Sequence, residues 1–457
     1  MKIRVLVGAT LVVATTSLSA SAQQRPWLKD RRYGEGIGIR AGDLELHPGV
    51  AGEVGYDSNY FQRSGEVDAQ VNEPVISALR FRLTPSFSIA TLGAQRRSLD
   101  TTQAAPPSVN FRAGVSLGLN YLVATDSKYS KQVRDQSHID AGADFNLDVL
   151  PERPWGAEFM GNFVRISEPS NSPATNAAFD RDSLRLGGGI VWRPGGGLFD
   201  WHLGYELRYN YFEKQLFREY NNAQHYVKTR GRWRFLPRTA LLYDASLGFI
   251  NYSNATTQEN GTPVRARLGL NGLVTNHFAV LAMAGWGASF YDATKHAAEN
   301  YDSLIAQAEV KWYLLPKPNL APDKATVGLS SVALGYIRDF HNSYLGDYYG
   351  RDRGYLKFSY FLGGQVLLSL EGGVSHLRFP QSYFNTGARQ FGGFNENRVD
   401  GTFFAEYRLS DSFGINTTLR YDADLNDNKI PIDAAGTRLD NLKFSRFQGY
   451  LGARWFM

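Results

Sequence analysis

Between residues 44 and 457 the chain runs through eighteen segments in which polar and apolar side chains alternate, most of them about 10 to 16 residues long and set apart by turn residues. Alternation at period two belongs to a β-strand, whose successive side chains point to opposite faces; a helix would scatter the same residues around its circumference. In lipid every backbone N–H and C=O must be paired internally, so strands span only when their sheet closes on itself. A closed wall then sets apolar side chains outward and polar ones inward. Eighteen such segments, with no apolar stretch long enough for a membrane helix, predict an all-β fold: a single transmembrane antiparallel β-barrel of 18 strands with both termini periplasmic.

The start of the chain agrees with export. Lys2 and Arg4 precede an apolar run over 5–14, and Ala20-Ser21-Ala22 stands before Gln23, which reads as a signal peptide over 1–22. Residues 23–42 are polar and glycine-bearing without a sustained period, and are expected to form a periplasmic N-terminal arm or a partial plug. The barrel is expected over 43–457. The sequence holds no cysteine, which excludes a lipid-anchored lipoprotein and any disulfide scaffold. Loss of Lys2 and Arg4 lowers the formal charge from +5 to +3, too weakly basic to point to nucleic acid. The mean hydropathy of −0.33 does not contradict a membrane location, because lumen and lipid residues cancel in any sliding window.

Individual strands are legible. The segment 44–56 sends Leu44, Leu46, Val50, Val54 and Tyr56 one way and Glu45, His47 and Glu53 the other. In the fourth segment Ile139, Ala141, Ala143, Phe145, Leu147 and Val149 alternate with His138, Asp140, Asp144, Asn146 and Asp148. The eighth sets Val227, Trp233 and Phe235 against Lys228, Arg230, Arg232 and Arg234. Connections alternate between short turns (PERP, RPGGG, PRT, TNH, LGG, SDS) and longer polar loops near 58–76, 167–180, 214–222, 252–262, 292–301, 338–348, 380–394 and 426–438. Short turns belong in the periplasm and long loops outside. Two longer connections, 91–108 and 315–324, fall on the short-turn side by count. With strands about 4.8 Å apart and tilted about 40°, eighteen give a backbone diameter of about 36 Å, a width that leaves an aqueous channel.

Inward charges are the candidate pore lining. A basic ladder of Lys228, Arg230, Arg232 and Arg234 continues two strands away in Arg265 and Arg267, and Arg80 and Arg82 add to it near the seam. An acidic ladder of Asp140, Asp144 and Asp148 opposes it. Like charges at i, i+2 on one face repel, so counter-charges are expected on neighbouring strands, with Glu206 and Asp244 the candidates for the basic ladder. Such walls either guide an anionic solute or form ion pairs that hold register. A sugar path would show a line of inward aromatic rings; inward aromatics are few on the clearest strands, Tyr450 and Phe456 being examples, and no line is visible.

Enzymatic chemistry has no foothold in the pattern. The eight histidines are scattered, and His138 with Asp140 lacks the further ligands that a metal needs. Gly187-Gly188-Gly189 and Gly195-Gly196-Gly197 precede no helix and are not phosphate loops. No catalytic, metal or cofactor site is expected.

The segment 42–61 (GDLELHPGVAGEVGYDSNYF), with Tyr56-Asp57-Ser58-Asn59, and the segment 79–89 (LRFRLTPSFSI) resemble the first two strands of the β-barrel porin 2 family. Several members of that family resemble outer-membrane pores of polysaccharide secretion, including those of myxobacteria. The resemblance implies a terminal conduit for polysaccharide export in the cell outer membrane, embedded in outer-membrane lipid and served by a periplasmic polysaccharide-export protein that docks on residues 23–42 and the two longer periplasmic connections. A general small-solute diffusion porin and a non-conducting adhesion barrel are the alternatives.

Overall fold

The computed structural model describes residues 38–457 except 69–70, 93–107, 170–177, 196, 254–257, 296, 315–329, 344, 363–364, 385–388 and 432–438. The expected leader, most of the arm and nearly all of the connections at 91–108 and 315–324 lie outside the described residues.

Eighteen long strands close into one antiparallel barrel. They begin with β1 (Leu44–Asp57), β2 (Ala78–Thr91), β3 (Val109–Ala124), β4 (His138–Val149), β5 (Trp155–Pro169) and β6 (Ala178–Trp192). Next come β7 (Phe199–Phe212), β8 (Asn222–Leu236), β9 (Thr239–Tyr252), β10 (Gly261–Leu273), β11 (Phe278–Tyr291) and β12 (Tyr301–Tyr313). The last are β13 (Ser331–Asn342), β14 (Tyr348–Leu362), β15 (Val366–Phe384), β16 (Arg389–Ser410), β17 (Phe413–Asp424) and β18 (Phe444–Phe456). Each pairs with its chain neighbours, and β18 pairs with β1 from Gly49↔Phe456 to Asp57↔Gln448, which leaves no edge. A three-residue strand, Ile39–Ala41, folds back along the start of β1.

Exposure alternates along the strands as the period predicts. On β1, Val50, Val54 and Tyr56 are exposed while Ala51, Glu53 and Asp57 are buried; on β3, Leu117, Leu119 and Tyr121 are exposed while Asn120 and Leu122 are buried. The outward apolar band ends in two aromatic belts. Trp155, Trp233, Phe278, Trp312 and Trp455 stand near the short turns, with Trp155 and Trp192 stacked at 5.8 Å; Tyr121, Tyr205, Phe290, Tyr336 and Phe447 stand nearer the long loops. Rings with an apolar body suit the level where hydrocarbon meets headgroup. Outward charges gather at the loop-side rim, where Arg165 meets Glu213 at 2.6 Å and Arg378 meets Asp352 at 3.3 Å.

The motif Tyr56-Asp57-Ser58-Asn59 staples the seam between first and last strands. Asp57 is fully buried and accepts from Arg446 Nη2 at 2.6 Å, Arg446 Nε at 3.0 Å and Gln448 Nε2 at 2.8 Å. Ser58 exchanges bonds with Phe447, its N–H donating to the carbonyl at 2.9 Å and its hydroxyl accepting from the Phe447 N–H at 2.8 Å. Asn59 Nδ2 donates to the Ser445 carbonyl at 3.1 Å.

Three loop expectations need correction. The segment 380–394 is mostly a hairpin, because β15 continues to Phe384 and β16 resumes at Arg389, and β13 likewise runs on to Asn342. The Gly392-Gly393 pair reads as loop, but cross-strand pairing of β16 with β15 outweighs that local preference. The connection between β3 and β4, outside the expected long loops, carries a 3-10 turn, Ser127–Tyr129, and a short α-helix, Ser130–Arg134.

Candidate functional site in the lumen

The inner wall is built from charges in alternate register positions. On β8 the basic rungs Lys228, Arg230 and Arg232 each have an acidic partner. Lys228 Nζ lies 2.7 Å from Glu206, Arg230 Nη2 3.1 Å from Glu158 and Arg232 Nη2 2.5 Å from Asp200. Glu206 and Asp200 sit on the adjacent β7, whereas Glu158 comes from β5, three strands away. His202 Nδ1 also approaches Glu158, at 3.2 Å. Arg234, nearest the turn, donates its main-chain N–H to Leu198 at 2.7 Å. Of the two expected counter-charges, Glu206 takes Lys228 on β8, and Asp244 takes Arg267 on β10, where the ladder continues, in a two-bond contact at 2.9 and 3.1 Å.

The remaining sequence-derived positions spread around the wall. Arg82 pairs with Glu53 at 3.5 Å and stands 4.8 Å from the Tyr450 ring. Arg80 is buried, 5.6 Å from the Tyr60 ring. Asp140 accepts from Asn120 Nδ2 at 2.8 Å and lies 3.3 Å from His138. Asp144 is opposite Gly114, and Asp148 opposite Glu158, in the β-register. The two ladders are therefore separated by three strands. On the opposite arc Arg353 holds Asp400 with two bonds at 2.6 and 2.8 Å, and Arg454 holds Glu406 at 2.6 and 2.7 Å.

The β13–β14 hairpin steps inside the wall near the loop end. Pairing between β12 and β13 stops at Ala306↔Arg338, while β13 continues to pair with β14 up to Asn342↔Tyr348. Phe340 shares the numbering parity of the outward residues Leu334 and Tyr336, yet it is fully buried. Its ring stacks on Tyr301 of β12 at 4.2 Å, and its carbonyl accepts from Arg265 Nη2 of β10 at 2.8 Å. The Arg265 guanidinium lies 4.0 Å from the same ring. Gly287 makes the space: a Cβ there would come within 2.7 Å of Ile305 and 2.8 Å of Phe340. Tyr291 completes the seat, donating its hydroxyl to the Asp347 carbonyl at 3.1 Å. Arg265 is thus a bracket for the hairpin rather than a rung of the ladder.

A line of inward rings does exist. Tyr349, Phe379 and Phe394 occupy inward positions on β14, β15 and β16, with centroids 5.3 and 4.6 Å apart, and His341 adjoins Tyr349 at 5.4 Å. Phe394 falls in a segment that reads as loop, and Tyr349 and Phe379 border such segments, so only the extended hairpins reveal the line. Loop 58–77 packs Tyr60, Phe61 and Ile76 against Ala78, Leu122 and Val133. Glu73, fully buried, ties this loop to the one before β18 by accepting from the Asn441 N–H at 2.7 Å. Burial lifts the Tyr60 hydroxyl above the ordinary phenol value and draws the Arg63 guanidinium below its own. Among the described residues no group of three or more His, Asp or Glu could hold a metal ion.

No family model matches the chain, and no curated protein matches it. Among solved structures the chain is similar to the FrpB iron transporter from Neisseria meningitidis, at 8% identity over 92% of this chain and 82% of that one, with a TM-score of 0.46. It is similar to OpdK of Pseudomonas aeruginosa, solved with vanillate, at 11% identity over 90% and 99%, TM-score 0.43. It is also similar to OccAB4 of Acinetobacter baumannii, at 8% identity over 90% and 98%, TM-score 0.42. Likeness this loose carries no argument about family, cargo or mechanism.

Proposed function

We propose that the chain is an outer-membrane pore and that its cargo is saccharide, most specifically a polysaccharide leaving the cell. The observation that carries the reading is the contrast between the two faces of the barrel: an outward apolar band between aromatic belts, and an inward surface of paired charges. Such an inner wall is solvated, and barrels of about 16–18 strands enclose an aqueous channel. The inward run Tyr349–Phe379–Phe394 supports a sugar cargo, since sugar C–H faces pack on aromatic rings. The resemblance of 42–61 and 79–89 to the β-barrel porin 2 family supports export. A periplasmic export protein would meet the short-turn end, where the β1 start and the β18 end lie together and the Met457 N–H donates to Pro48 at 3.1 Å.

Two measurements test this. Purified barrel in a planar bilayer should conduct in discrete steps; a protein that inserts but stays silent in every condition refutes the pore. A deletion strain should lose surface polysaccharide and accumulate it in the periplasm, with recovery on complementation. Unchanged surface polymer in a conducting barrel would leave the diffusion porin as the reading, with small sugars as cargo.

A further inference from the structure

We propose that the lumen contains a discrete carboxylate-binding site formed by Arg185 of β6, Arg208 of β7 and Lys228 of β8, which holds the acid groups of cargo in transit; the transit role rests on the pore reading. Arg185 and Arg208 are directly opposed in the β-register, an arrangement that costs stability unless an anion relieves it. One carboxylate does so. Glu206 lies 2.6 Å from Arg185 Nη2, 2.6 Å from Arg208 Nε and 2.7 Å from Lys228 Nζ. Three cations on one anion leave a formal surplus of two positive charges. By contrast, Arg267 with Asp244 and Arg353 with Asp400 are met by bidentate contact and carry no such surplus.

The layering favours a ligand. Glu206 is 2% exposed at the back, while the side chains of Arg185, Arg208 and Lys228 are 42%, 30% and 33% exposed in front. Each cation spends one donor on Glu206, whereas a guanidinium carries five N–H groups and an ammonium three. Arg185 Nε is buried without a hydrogen-bond partner among the described residues. Tyr226 braces two of the three, with Arg208 4.9 Å and Lys228 5.2 Å from its ring centroid. A planar fork matched to a planar anion selects carboxylate, carried either by an acidic saccharide or by a small organic acid.

Calorimetry on the full-length barrel folded in detergent, at about 20 mM salt to limit screening, tests the site without requiring conduction. The probes are sodium galacturonate, hexagalacturonate, acetate and neutral glucose. The expected result is binding of the carboxylates and none of glucose, with Arg185→Gln plus Arg208→Gln weakening the affinity at least tenfold. Glu206→Gln, which removes the internal competitor, should tighten binding several-fold. Should that variant fail to fold, Arg185→Lys serves: it keeps the charge, loses the fork, and should weaken binding by less than Arg185→Gln does. Tighter hexamer than monomer identifies an acidic polymer as the ligand, and equal affinity for all carboxylates a small acid. No carboxylate binding, equal binding of glucose, or unchanged affinity in the folded double variant overturns the site. A barrel that binds galacturonate but never conducts keeps the site and loses the pore; one that conducts without binding does the reverse.

Discussion

Asp57 shows how much of a barrel one side chain can hold. It sits at the only junction that joins the two ends of the strand sequence, and its carboxylate is bonded by Arg446 and Gln448 of the last strand. Removing one member of a buried ion pair strands the other, which typically costs about 3–5 kcal/mol. Asp57→Ala should therefore lower the denaturant midpoint of the folded barrel and cut the heat-modifiable fraction on a gel, and adding Arg446→Met should restore part of the loss. Equal midpoints for Asp57→Ala and the parent would show that the staple contributes nothing. The sequence shows Asp57 within a turn-like motif and on the inward face of β1. It does not show Arg446, which is 389 positions away. The same holds for Arg230: its inward direction follows from parity, while its partner Glu158, three strands back, depends on curvature that no local pattern encodes.

At the scale of elements, the β13–β14 hairpin departs most from the pattern. Phe340 obeys strict alternation in sequence and should face outward, but the strand leaves β12 after Arg338 and carries it inside. What pulls it in is burial against Tyr301 and Ile305 together with the Arg265 bracket. Truncating a buried Phe to Ala costs about 3–5 kcal/mol, here charged to the docked position of one hairpin. Phe340→Ala combined with Arg265→Ala should raise single-channel conductance and current noise while the barrel remains heat-modifiable; identical current traces would place the hairpin outside the conducting path. Gly287→Leu should act in the same direction by filling the seat. The extended β15–β16 hairpin departs from its sequence pattern for a related reason. The stretch RQFGGFNEN at the start of β16 has loop composition, and only the partner strand supplies what holds it extended.

For the molecule as a whole, adjacent residues meet different solvents. Leu117 is half exposed on the outer face of β3 and Ser116 faces the lumen beside Gly142. An arginine on the lipid face near mid-membrane costs about 2–4 kcal/mol, so Leu117→Arg should depress the folded fraction in lipid vesicles. Ser116→Arg, close to the acidic ladder, should change it by less than about 0.5 kcal/mol; equal losses at the two sites would contradict the barrel orientation. Ion selectivity should also fall as salt rises. The screening length shrinks from about 10 Å at 0.1 M to about 3 Å at 1 M, so reversal potentials per unit salt gradient should approach zero at the higher strength. A value independent of salt would mean that the exposed lumen charges do not shape the path.

The sequence by itself determined the class of fold, the number of strands and the direction of nearly every side chain, because a strand's period of two is local and its solvents are fixed by the wall it belongs to. Tertiary structure alone decided which charges meet, where the wall folds inward and how inward rings line up. Those outcomes depend on register between strands, on closure of the first against the last, and on curvature of the whole sheet, none of which is written within any one strand.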